Sequence, residues 1–208
     1  MARYTGPVCR LCRREKMKLY LKGPKCDSSK CPMESRPFPP GVHGRERSRQ
    51  GSEYLGQLRE KQKARRIYGI LEKQFVNTYK EANRQHGITG ENLLTMLELR
   101  IDNVVFRTGW AASRSQARQF VRHGLIRVNG RRVTIPSLRV RKGDVVSLIE
   151  KAREYIVVVH NRDTINRQVP GWLEMSADGF SATVLNPPLR EHIDVPVREQ
   201  LIVELYSK

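Results

Sequence analysis

Apolar positions follow two rhythms along this chain, a helical one through the first half and a two-residue one through much of the second. Within Ser52 to Gln85, Leu55, Leu58 and Gln62, and then Leu71, Phe75, Tyr79 and Ala82, recur at helical spacing with an interruption at Gly69. Gly87 and Gly90 end that run. A further helix is expected after Thr89, where Leu93, Leu94 and Leu97 form an apolar stripe and Glu91 lies near the positive end of the helix dipole. These helices predict one small bundle. Ser113 to His123 carries a strong local signal, because Ser113 and Gln116 have capping-box spacing and Gly124 is placed to end the helix in a left-handed conformation.

Strands are expected at Ile126 to Val128 and Arg131 to Val133, which flank Asn129-Gly130, a dipeptide suited to a tight hairpin turn. Val145 to Ile149 and Tyr155 to Val159 read as further strands, followed by Trp172 to Glu174 and Ser181 to Val184. The pattern predicts a mostly antiparallel sheet. After Pro196, Val197, Leu201 and Leu205 return to helical spacing, so the tail is expected to fold back onto another element. The chain has no internal repeat. Trp110 and Trp172 are expected in the core, with stacking on bases as the alternative.

The first fifty residues break both rhythms, since Pro37, Pro39, Pro40, Gly41 and Gly44 forbid a long helix and little apolar surface is on offer. This segment needs an external staple. All four cysteines lie in it, as Cys9-x2-Cys12 and Cys26-x4-Cys31, and such paired spacing suits four thiolates around one metal. A tetrahedral zinc site is the first expectation and an iron–sulfur cluster the alternative. Two disulfides are disfavoured in a cytosolic chain, and no thioredoxin-like context surrounds a catalytic pair. Arg10, Arg13, Arg14, Lys25 and Lys30 would offset thiolate charge and leave a positive surface.

Charge sharpens the picture. The chain carries 39 Lys plus Arg against 21 Asp plus Glu, a net charge of +18 that favours a polyanionic partner. The net charges of residues 1–51, 52–142 and 143–208 are +9, +12 and −3, so the polyanion is expected against the first two-thirds. Arg114, Arg118 and Arg122 share one face of the capped helix at four-residue spacing, with no acidic residue between Arg107 and Lys142 to pair with them. Arg127, Arg131 and Arg132 surround the hairpin, with Asn129 at its turn, and Arg139, Arg141 and Lys142 precede the next strand. Guanidinium forks match phosphate oxygens, so this constellation is expected to bind RNA, with His123 capping its helix or touching RNA. A second basic run, Arg59, Lys61, Lys63, Arg65 and Arg66, is expected to add phosphate contacts. Arg45, Arg47 and Arg49 alternate with Glu46 and Ser48, which in an extended strand directs three arginines to one side. The five histidines are scattered, and neither a phosphate-cradling glycine loop nor a nucleophile–base set stands out, so no enzyme and no small-molecule substrate is expected. No apolar run reaches bilayer length and no secretory signal opens the chain, which predicts a cytoplasmic protein without a membrane partner.

The stretch SRSQARQFVRHGLIRVNGRRVTIPSLRVRKGDVV resembles the small RNA-binding module first named for ribosomal protein S-four. That module also accompanies catalytic domains in pseudouridine synthases and tyrosyl-tRNA synthetases and occurs in a heat-shock recycling factor. The flanking LREKQKARRIYGILEKQF, GENLLTMLELRIDNVVFRTG and EQLIVELYSK all resemble the bacterial small-subunit ribosomal protein S-four family. The resemblance implies an α+β chain with three parts. These are a metal-stapled N-terminal segment (1–51), a helical lobe (52–98, completed by 190–208), and an α/β lobe (99–189) holding the module at about 99–160 on a mostly antiparallel sheet. It further implies a structural constituent of the small subunit that binds a multi-helix junction in the 5' domain of small-subunit rRNA and nucleates assembly. Contact with small-subunit protein five, a part in translational accuracy, and a place for the Arg45–Arg49 segment near the path by which messenger RNA enters also follow from it. Many members lack the four cysteines, so the metal would be structural.

Overall fold

The computed structural model describes residues 3–46, 51–165 and 167–207, and the chain forms two compact units, Met1–Leu93 with Val195–Lys208, and Leu94–Asp194. In the first unit α1 (Cys9–Glu15) and α2 (Pro32–Ser35) belong to the cysteine segment, and α3 (Glu53–Ile67) and α4 (Glu72–Ala82) follow. The Ser52 side chain accepts from the Leu55 amide to cap α3. At its other end Gly69, with φ +64°, bonds back to Arg66 O while Ile70 N reaches Arg65 O, the paired bonds that close a helix through a left-handed residue.

The buried face of α3 is Gln57, Lys61, Ala64 and Ile67, not the expected stripe of Leu55, Leu58 and Gln62. Leu55 is exposed, because the helix buries the side that carries Gln57, Lys61, Ala64 and Ile67, and α10 (Glu199–Tyr206) packs on α3. Gln57 Nε2 donates to Glu204 Oε2 at 3.3 Å across this contact. On α10 the buried centre is Ile202, flanked by half-buried Leu201 and Leu205, while Val197 is buried ahead of the helix. Phe75, Tyr79 and Ala82 of α4 are buried as their spacing predicts.

The boundary between the units falls within α5 (Thr89–Glu98). The second unit continues with α6 (Ile101–Arg107) and α7 (Arg114–Arg122). Every residue of α6 is buried, so it shows no one-sided stripe, and the sequence pattern did not reveal it. In α7 the Gln116 amide donates to Ser113 Oγ at 3.3 Å, and the Gln116 side chain returns to the Ala112 amide, one residue earlier than a standard capping box. Gly124, φ +68°, bonds to Val121 O while Leu125 N reaches Phe120 O, so α7 ends as its sequence requires.

The sheet is antiparallel throughout, ordered β2-β1-β3-β5-β4, with β1 Ile126–Val128, β2 Arg131–Val133, β3 Val145–Leu148, β4 Leu173–Met175 and β5 Ser181–Val184. Asn129 and Gly130 both take positive φ, +50° and +78°, as a two-residue hairpin turn of the primed type demands. Ile126, Val146, Leu148, Ala182 and Val184 face the core, and Trp110 and Trp172 are buried there with Val104 and Val121. Trp110 Nε1 donates to Gly179 O at 2.9 Å.

The strand expected at Tyr155 to Val159 is instead the start of α9 (Ile156–Thr164), which follows the short α8 (Glu150–Arg153). Both sides of β3 are already taken by β1 and β5, and Val158 with Asn161, three residues apart, form a single buried face that only a helix provides. No helix among the described residues is long and apolar enough to cross a membrane.

Candidate nucleic-acid interface

Helix α7 and the β1–β2 hairpin hold one cluster of the expected contact residues, but the three arginines of α7 do not form one exposed ridge. Arg118 is only 6% exposed, with Nη1 3.4 Å from Asp102 Oδ2. The same carboxylate receives Arg100 through two bonds, Nε to Oδ1 at 3.0 Å and Nη2 to Oδ2 at 2.7 Å. Burial pushes the Arg118 pKa down, Asp102 opposes that shift, and the neighbouring Arg100 and Arg122 reinforce it. Arg114 donates to Asn103 Oδ1 at 2.7 Å and lies over the Phe106 ring, 4.3 Å from its centre. Asn103 in turn donates to Glu98, which also takes Arg107 Nε and Nη2 at 2.9 Å each. The acidic partners thus come from α5 and α6, upstream of the stretch whose lack of acids suggested an open ridge. Arg122 is the member of the three that stands exposed.

Around the hairpin, Arg127, Arg131 and Arg132 are exposed, and the register sets Arg127 directly opposite Arg132. Like charges opposed in this way cost stability unless something neutralises them. His123, the C-cap of α7, is exposed beside Arg122, and Arg141 and Lys142 are exposed before β3. Arg139 is half-buried and bridges to Arg100 through the backbone. Asn129 is occupied within the fold: its Oδ1 accepts from Val145 N at 2.9 Å and its Nδ2 donates to Asp144 Oδ1 at 2.8 Å. Its role is to shape the turn that carries the cations.

In the first unit the basic run of α3 is largely ion-paired. Lys61 Nζ and Arg65 Nη1 meet the two oxygens of Glu72 at 2.6 and 2.7 Å, Lys63 pairs with Glu60, and Arg59 and Arg66 both reach Glu15. Burial opposes ionisation of Glu72, but Lys61, the Tyr206 hydroxyl and Arg65 together hold its carboxyl below the usual range. For Glu15, whose side chain is 1% exposed, burial outweighs Arg59 and Arg66 and the pKa is raised. Arg45 lies over the Phe38 ring at 4.9 Å, with Arg13 over the same ring at 5.0 Å. Arg47 and Arg49 lie outside the described residues.

Cys9, Cys12, Cys26 and Cys31 are free thiols that line one small cavity together with Val8, Leu21, Pro32 and Met33. Lys22 N donates to Cys26 Sγ at 3.3 Å. Burial pushes the Cys12 and Cys26 thiols up, and the proximity of the other cysteines adds to it. Among the described residues no group of three or more His, Cys, Asp or Glu side chains is arranged so as to hold a metal ion. The donor set, four thiols converging on one cavity in a segment without a core of its own, is nevertheless chemically suited to a thiophilic metal.

Sequence reasoning missed Glu15, Glu72, Glu98, Asp102 and Asn103, the residues that decide which cations are available. Glu15, Glu72 and Asp102 lie far in sequence from the α3 and α7 cations they pair with, and Asn103 engages Arg114 from another helix, so no spacing within α3 or α7 could have flagged them.

A capped helix leading into a twisted hairpin, edged by exposed cations, defines a nucleic-acid-binding class of module. Residues 3–98 match the family described as ribosomal protein S4/S9 N-terminal domain, and residues 99–146 match the S4 domain. Proteins named small ribosomal subunit protein uS4 from Acidothermus cellulolyticus, Thermoanaerobacter pseudethanolicus and Thermus thermophilus are 61%, 58% and 54% identical to it, over 100% of both chains in each case. The chain belongs to the bacterial uS4 family of small-subunit ribosomal proteins, a structural and non-enzymatic family.

Proposed function

We propose that this protein binds small-subunit rRNA at a multi-helix junction in the 5' domain and nucleates assembly of the subunit. The observation that carries the reading is the set of exposed cations at one helix end (Arg122), on one hairpin (Arg127, Arg131) and before β3 (Arg141, Lys142), in a module of the matched family. Binding should be dominated by phosphate contacts, so affinity should fall steeply with salt. The test is binding of purified protein to intact 5'-domain rRNA and to the same RNA with its junction unpaired, each over a salt series. Weak binding to both, or equal binding to a random duplex, would defeat the reading, since shape at a junction is what carries selectivity. Contact with small-subunit protein five, with its effect on accuracy, is the partner the family resemblance supports. Copurification from salt-washed subunits tests it.

The four cysteines hold one metal centre in this reading, zinc first and an iron–sulfur cluster as the alternative. The support is their convergence on one cavity and the hydrogen bond from Lys22 N to Cys26, a donor that stabilises thiolate. The ligation would supply folding free energy to a segment with little apolar surface. Metal analysis of protein prepared anaerobically separates zinc from iron with sulfide, and absence of stoichiometric metal in such protein defeats it. For Arg45, Arg47 and Arg49, near messenger RNA in this reading, replacement of all three by Ala should slow translation only through structured messenger. Defective subunit assembly would assign them to rRNA instead.

A further inference from the structure

Arg132 differs from the other hairpin cations in what its guanidinium touches. Nε donates to Gly124 O at 2.9 Å and Nη2 to His123 O at 3.0 Å. These carbonyls close the C-terminal end of α7, where backbone acceptors lack helical donors and the helix carries partial negative charge. The planar fork meets both at once and ties β2 to the helix end. Gly124 makes room for it: a Cβ there would lie 2.1 Å from Arg132 Nε and 2.6 Å from Cζ. Turning the charge onto the helix end also relieves its repulsion with Arg127, which stands opposite in the register.

We propose that Arg132 is a positioning residue for RNA recognition. It holds the β1–β2 hairpin against the end of α7, so that Arg122 and His123 at the helix end and Arg127 and Arg131 on the hairpin meet one RNA backbone as a unit. The proposal rests on the RNA-binding reading and specifies how that surface is built. The competing role for Arg132 is a phosphate contact of its own, which would need neither the carbonyls at the end of α7 nor the clearance at Gly124.

Five variants, Arg132→Ala, Arg132→Lys, Gly124→Ala, Arg127→Ala/Arg131→Ala, and the same double variant with Arg132→Ala added, separate the two roles. Affinity for 5'-domain rRNA is measured at a temperature where urea unfolding shows each variant fully folded. Arg132→Ala should bind on the order of tenfold more weakly, a coupling of the size expected for contacting residues. Arg132→Lys should recover little of this, because it restores the charge without the fork. Gly124→Ala, which leaves every charge in place, should reproduce the loss. In the Arg127→Ala/Arg131→Ala background, removal of Arg132 should cost little more. Full rescue by Lys, or an undiminished loss in that background, would overturn the proposal. Amide hydrogen exchange without RNA reads the tie by itself: β1–β2 amides should exchange faster in both Arg132 variants, and unchanged exchange sinks the idea even if rRNA binding is normal. Should the wild-type protein fail to bind this rRNA while exchange responds as expected, the RNA reading falls and the tie alone stands, which also overturns the stated role.

Discussion

The basic helix α3 and the basic hairpin β1–β2 carry similar formal charge and use it in opposite ways. In α3, Lys61 and Arg65 meet Glu72, Arg59 and Arg66 meet Glu15, and Lys63 meets Glu60, so much of the charge serves the first unit's own packing. On the hairpin, at the edge of the sheet, Arg127 and Arg131 are exposed with no acidic partner among the described residues, and Arg122 is likewise exposed at the end of α7. Counting cations overstates the surface offered to a polyanion, and the correction is local: it depends on which carboxylates the fold brings up from elsewhere. A pair in which both members are buried is a structural feature first, because breaking it strands a charge away from water.

That contrast can be broken most forcefully at Asp102. Replacing it by Ala leaves Arg100 and Arg118 buried without their shared carboxylate, and about 3–5 kcal/mol of stability should be lost in urea denaturation of the second unit. Arg118→Ala should act on stability as well, and a normal melting profile with a flattened salt slope would return that residue to the RNA surface. Replacing Arg122, Arg127 and Arg131 together should leave stability within about 0.5 kcal/mol. It should flatten the log–log salt slope of rRNA binding by roughly 2–3 units, at about 0.9 per phosphate contact. The matching triple replacement of Arg59, Lys61 and Arg65 should change stability more than slope. The smallest effect is expected at Glu72. Its folded-state pKa is depressed, so the stability it contributes is present above the unfolded carboxylate value and is lost as pH falls through the folded one. Glu72→Gln should therefore cost on the order of 1 kcal/mol or less near neutrality, given its partial exposure. The difference from wild type should shrink in thermal melts as pH falls below the ordinary carboxylate range and through the depressed folded value.

How far the fold could be read in advance follows the range of the interactions that set it. Helix α7 and the hairpin were legible because Ser113, Gln116, Gly124 and Asn129-Gly130 act within a few residues of themselves. Helix α6 was not, since burial on all sides erases the amphipathic signal. The run of β-branched residues at Ile156–Val159 reads as strand, whereas it folds as a helix whose buried face, Val158 with Asn161, is set by tertiary packing that the local run does not show. At the candidate interface the residue types were readable and their availability was not. Asp102 lies sixteen residues before Arg118, and Glu15 lies in the cysteine segment rather than on α3.

The hairpin turn has a chemical lifetime as well as a shape. Asn-Gly is the dipeptide in which a side-chain amide most readily cyclises onto the following backbone nitrogen and loses ammonia, and here it forms the tip of the cationic ribbon. The Asn129 amide is held at both ends, by Val145 N and by Asp144, and each bond keeps it from turning toward Gly130. Hydrolysis at that one side chain would replace the donor facing Asp144 with a second carboxylate and set a negative charge between Arg127 and Arg131. The same two hydrogen bonds that fix the turn therefore also hold the Asn129 amide away from that reaction at an exposed basic surface.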